Sequence, residues 1–200
     1  EEGRQANRRV EVAIFASEAY RQALLAQGET SGTGGEGFLS RMSVEVRGGL
    51  NRPMSDFREA GARGDASFGG DVFFGVTPTL DVYGGWARDQ FSCEGCDTGE
   101  GTDLQGFEAG LQFTAMPEWT LRPWLRAGAT YQEAETEFGS VVATSDGEFG
   151  IQVAGGVRFP LGDVVSVSPG LRYQRLNPGD FGTLSYLVGE LGLRWNIPSR

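Results

Sequence analysis

Cys93-Glu94-Gly95-Cys96 is the first place to look for chemistry, because a CxxC spacing serves redox exchange, zinc binding or a small disulfide. A redox dithiol wants a helix N-terminus after its first cysteine to stabilise the thiolate. The residues that follow, Asp97-Thr98-Gly99-Glu100-Gly101, offer acid and glycine instead. Zinc wants four ligands, and the chain holds 2 cysteines and no histidine. The pattern points to a loop disulfide between Cys93 and Cys96 in an oxidising compartment. The acidic runs Glu133-Ala134-Glu135-Thr136-Glu137 and 97–103 have no EF-hand spacing and read as solvated loops. With no histidine, the serines lack the commonest activating base. The glycine pairs do not sit between a strand and a helix, and no carboxylate pair stands apart from the alternating charges described next. No catalytic residue, metal site or cofactor is expected, and the chain is not expected to be an enzyme.

The remaining chemistry-bearing residues recur at a spacing of two. Glu45, Asp71, Asp81, Glu108 and Glu190 alternate with apolar neighbours, and so do Arg47, Arg126, Arg158, Arg172 and Arg194. Five acids against five arginines form a nearly balanced set, and arginine is the base suited to bidentate pairing with carboxylates. A net charge of −10 argues against nucleic acid as a partner, and against an anionic membrane surface.

These charges need strands to hold them. Helical periodicity nearly vanishes after residue 40, and alternation predicts strands at about 41–51, 66–77, 79–92, 103–116, 119–133, 147–159, 163–176 and 183–197. Val44, Val46 and Leu50 oppose Glu45 and Arg47; Phe107, Leu111 and Phe113 oppose Glu108 and Gln112; Leu187, Leu191, Leu193 and Trp195 oppose Glu190 and Arg194. Strand three is the least clean, with Arg88 falling on the apolar parity. Thr77-Pro78-Thr79, Met116-Pro117-Glu118 and Pro160-Leu161-Gly162-Asp163 read as tight turns. Longer polar loops at 52–65, 93–102, 134–146 and 177–182 alternate with them. Strict alternation of long and short connections predicts an all-β, eight-stranded antiparallel up-and-down β-barrel.

Periodicity leaves the polarity open. An apolar interior makes a soluble, lipocalin-like ligand-binding barrel; an apolar exterior makes a membrane barrel with a sealed polar lumen, since eight strands leave an interior that side chains fill. Three features favour the second. Aromatic residues lie near strand ends (Trp119, Tyr131, Phe149, Phe159, Tyr173 and Trp195), the polar parity is charge-balanced and free of lysine, and the acidic excess falls in loops and the N-terminal region.

The stretches Val44 to Pro53 and Phe68-Gly69-Gly70-Asp71-Val72-Phe73-Phe74 resemble the opening hairpin of the small outer-membrane β-barrel superfamily, which includes the outer-membrane protein A and opacity-protein barrels. Leu80-Asp81-Val82-Tyr83-Gly84-Gly85-Trp86 is similar to that family's third strand, and the likeness covers about 41–197. Gly192, Trp195 and Ile197 resemble the C-terminal signal read by the barrel-assembly machinery. The family usually ends on an aromatic residue, whereas Ile197 is followed by Pro198-Ser199-Arg200. The resemblance implies residence in the bacterial outer membrane, or at the cell exterior, with outer-membrane lipid as the partner.

The chain thus divides into an N-terminal arm and Gly-rich linker, 1–40, and a barrel domain, 41–200. Glu1 opens no signal-peptide pattern, as expected of a mature exported chain or of one never exported. In the arm, Val10, Val12, Ile14 and Phe15 suggest a strand, and Tyr20, Leu24 and Leu25 a short helix between Ser17 and Gly28. A closed barrel has no free edge, so this arm is expected in the barrel's mouth, on its wall, or on a neighbouring copy. The main expectation is a structural or surface-interacting membrane barrel. The alternatives are a self-assembling extracellular filament or lattice subunit, a homo-oligomer built through the arm, and the soluble ligand-binding barrel.

Overall fold

The computed structural model describes residues 37–59, 61–93, 101–138, 141–176 and 183–197. The arm residues Val10, Val12, Ile14, Phe15, Tyr20, Leu24 and Leu25, together with Cys96, lie outside them. A single 3-10 turn, Phe38–Arg41, leads into β1 (Met42–Met54), and a short helix α1 (Ser55–Glu59) follows. Next come β2 (Ala62–Gly75), β3 (Leu80–Cys93), β4 (Gly101–Thr114), β5 (Arg122–Phe138), the short β6 (Val141–Thr144), β7 (Glu148–Pro160), β8 (Val165–Leu176) and β9 (Leu184–Asn196).

All pairings are antiparallel, and β1 bonds both β2 and β9, so eight strands close on themselves. β6 stands apart as a hairpin return on the end of β5, Glu135 facing Thr144 and Phe138 facing Val141. The register fixes the shape. Ser43 faces Phe73, which faces Tyr83, then Gly110, Gly128, Gln152, Gln174 and Tyr186, and Tyr186 faces Pro53. One circuit therefore returns to β1 ten residues beyond its start. With ordinary strand spacings this shear tilts the strands by about 40° and sets a backbone radius of about 8 Å. That is narrow enough for side chains to fill.

Several strands run beyond their predicted ends. β1 continues to Met54, β2 begins at Ala62 and β5 reaches Phe138, so half of the polar stretch 52–65 and most of 134–146 are strand. The physical reason is length. A strand of 14 residues, such as β2, rises about 35 Å at this tilt, whereas an apolar band is only about 25 Å tall. The alternation of apolar residues stops at the band, but backbone pairing does not. At the other end the connections are short: Val76 N–H donates to Leu80 O (2.8 Å), and Leu161 N–H to Val165 O (2.8 Å) across Gly162, whose φ of 131° suits glycine. The Met116-Pro117-Glu118 turn is wider than expected, because β5 starts at Arg122 rather than at Trp119.

Polarity is settled by burial. Leu50 (72% exposed), Phe107 (69%) and Phe149 (74%) cover the outer wall, while Arg126 (1%) and Arg172 (0%) are interior. The lipocalin-like alternative fails on this point, since the lumen is polar. Trp86, Phe107, Tyr131 and Phe149 stand in one row across β3, β4, β5 and β7, as an interfacial girdle would. Trp119, Phe159 and Trp195 are exposed toward the turn end, and Tyr173 is half-buried.

Candidate functional site

The lumen gathers the charged residues read from the alternation. Glu45, Arg47, Asp71, Glu108, Arg126, Arg158, Arg172, Glu190 and Arg194 are buried inside, and Asp81 lies half-buried at the turn-side mouth. Most join one continuous network. Arg126 Nη2 lies 2.8 Å from Glu45 and its Nη1 3.0 Å from Asp71. Arg47 reaches Asp71 at 2.6 Å and Glu108 at 2.8 Å, and approaches Glu190 at 3.7 Å. Glu190 passes the chain on to Arg172 (3.2 Å), which also holds Asp89 at 2.9 Å. Near the turns, Arg194 pairs with Asp81 at 2.8 Å and donates to Ser43 Oγ at 2.6 Å.

Neutral groups complete the filling. Gln112 Oε1 accepts from Arg126, Tyr83 Oη from Gln152 (2.8 Å), and Gln132 Oε1 from Gln174 (2.6 Å). The Arg126 guanidinium lies 4.9 Å from the ring centres of Phe73 and Tyr83 and 5.3 Å from that of Trp124. Glycines open the space this requires. A Cβ on Gly85 would strike Asp71 Oδ1, and one on Gly69 would crowd the Arg47 guanidinium. Gly192, expected as part of the C-terminal signal, faces inward, where a Cβ would come within 3.0 Å of Glu45 Cδ. Trp195 lies in β9 opposite Val44, and Ile197, just past the strand, donates its N–H to Met42 O (3.1 Å).

Two features escaped the sequence reading. The first is Asp89, fully buried and bonded to Arg172, Ser67 and Tyr186. Arg88 obscured it by breaking the apolar parity. In the structure β3 keeps its alternation from Asp81 through Asp89, and Arg88 faces outward, where it pairs with Asp103 at the loop-side rim. Continuing the parity of Asp81 for eight residues would have found Asp89. The second is an apolar cap over the polar lumen: Phe57, Phe91, Leu104, Leu176, Tyr186 and Val188 pack together at the loop-side mouth. Phe57 comes from α1 and meets Phe91 edge-on at 4.8 Å. Cys93 is the last residue of β3.

No metal-binding cluster of His, Cys, Asp and Glu occurs among the described residues. No helix among them is long and apolar enough to cross a membrane, which leaves the strands as the elements that could.

A closed barrel of eight tilted antiparallel strands, apolar outside and filled with paired charges inside, has the fold of the small outer-membrane β-barrels. Solved structures of that kind superimpose on it. The crystal structure of Neisserial surface protein A gives a TM-score of 0.63 at 14% identity, covering 78% of this chain and 96% of that one. The crystal structure of Ail, the attachment invasion locus protein of Yersinia pestis, gives 0.50 at 14% identity, covering 76% and 97%. These neighbours are bacterial outer-membrane barrels. At such identities the likeness is one of fold. No family model matches the chain, and no curated protein matches it.

Proposed function

We propose that this protein is a non-enzymatic β-barrel of the bacterial outer membrane with a structural and surface-interaction role, carried out by the strand ends and connections that rise above the apolar band. Its reversed polarity carries this reading. Large apolar side chains cover the outer wall while arginines and carboxylates fill the interior, and hydrocarbon is the solvent that rewards such an arrangement. The lumen is a core and not a channel, because the ion-pair network and the apolar cap occupy it. The Cys93–Cys96 disulfide belongs to the proposal as a clasp on the β3–β4 connection, as does the division into arm and barrel near residue 40.

Refolding the full chain with and without detergent tests the setting. A folded monomer only in detergent or lipid supports it; ordered detergent-free oligomers would favour the self-assembling subunit instead. In planar bilayers the folded protein is expected to pass no sustained ion current, and steady conductance would overturn the sealed lumen. Mass spectrometry of unreduced protein should find Cys93 and Cys96 joined.

A further inference from the structure

We infer that the turn-side mouth of the lumen is a binding site for a small tetrahedral oxyanion such as inorganic phosphate, held by Arg158 with Ser166, Ser168 and Arg194. This goes beyond the membrane reading and rests only on the barrel's interior.

Arg158 is the odd member of the lumen set. Arg47, Arg126, Arg172 and Arg194 each hold a carboxylate, but Arg158 makes no ion pair among the described residues although it is only 8% exposed. Its Nε and Nη2 lack hydrogen-bond partners. Those two N–H groups form the side-on edge of a guanidinium, which matches two oxygens of a carboxylate or phosphate. A buried guanidinium without a counter-charge is costly, so the site calls for an anion.

The surrounding donors agree. Phe159 faces Val167 and Pro160 faces Ser166, which sets Arg158 opposite Ser168. Ser166 faces Arg194 on the next strand. The hydroxyls of both serines and Nη1 of Arg194 are buried without partners. Arg122 stands opposite Arg158 in register and adds a third positive charge to the same end. Of the nearby acids, Asp81 is bound to Arg194, and Glu45 gives one oxygen to Arg126 while its other, buried without a partner, makes no ion pair with Arg158. The local balance is therefore positive in a chain whose net charge is −10. A halide would not use the paired edge of Arg158, and water would supply no charge. A tetrahedral oxyanion supplies charge and enough oxygens for the guanidinium edge and the two hydroxyls together. Because these groups face the lumen, the source is the solution at the turn-side mouth and not a lipid headgroup on the outer wall.

The test uses the full chain refolded in non-ionic detergent, with urea unfolding followed in phosphate and in chloride at matched ionic strength. Phosphate is expected to raise the unfolding midpoint saturably, as a ligand of the folded state does. Arg158→Met should abolish that rise and, in chloride, should unfold later than the parent because an uncompensated buried charge is gone. The double variant Ser166→Ala/Ser168→Ala should weaken phosphate by more than about tenfold, since each lost hydrogen bond to a charged group is worth roughly that factor or more. Should Arg158→Met not fold, phosphorus NMR line broadening of inorganic phosphate by the parent and the serine variant carries the comparison. Equal midpoints in phosphate and chloride for the parent, or an undiminished phosphate effect in Arg158→Met, would overturn the site.

Discussion

Arg126 lies between Glu45, Asp71 and Gln112, flanked by the rings of Phe73, Tyr83 and Trp124, so its removal would strand charges that have no water to turn to. Arg126→Met should destabilise the barrel by about 3 kcal/mol, because a buried pair broken on one side leaves the other side uncompensated. Adding Glu45→Gln should restore most of the loss, and a double-mutant cycle by urea unfolding in lipid vesicles reads that coupling. The pair on the outer rim makes the contrast. Arg88 meets Asp103 with its side chain 41% exposed, and water screens the interaction. Arg88→Gln should cost less than about 0.5 kcal/mol in the same measurement. Ion pairs of similar geometry thus differ several-fold in consequence, and burial decides between them.

At the scale of elements, alternation in the sequence disclosed the strand cores, because each buried charge on one parity faced a lipophilic neighbour on the other. It disclosed less at the loop side. There the outer face turns polar at Glu133 and Glu135 and the inner face turns apolar at Leu104 and Val188, so the parity signal fades while hydrogen bonding persists. The helix α1 was hidden for a related reason: five residues carry no period, and their link to the apolar cap runs through Phe57. Phe57 rests on Phe91, which rests on Tyr186 at 5.0 Å, so the cap is a short stack that begins outside the strands. Phe57→Ala should cost about 2 kcal/mol, below the full value for a core phenylalanine because one side of the ring borders the mouth. The loss should be local. Hydrogen exchange should quicken across Ser55–Glu59 while β1 and β9 keep their protection.

For the whole molecule, the meaning of the outer wall rests on what solvent it meets. Leu111 stands on β4 between Phe107 in the loop-side aromatic row and Phe113 toward the turns, about 10 Å below that row at this tilt, and it is 50% exposed. If hydrocarbon surrounds the wall, this is the depth at which a charge is most costly. Leu111→Arg should then lose about 2–4 kcal/mol of unfolding free energy in lipid vesicles, whereas an arginine near the membrane surface costs about 0–1 kcal/mol. Arg63, exposed at the loop-side end of β2, already shows a charge accepted at that height. Leu111→Ala separates charge from lost contact area, since it shortens the side chain without introducing a charge. A depth-dependent penalty for arginine, with a small one for alanine, is the signature of a bilayer. Equal penalties at the middle and the rim would mean instead that packed protein covers the wall, as neighbouring subunits would, and the strands would then be holding an assembly together and not spanning a membrane.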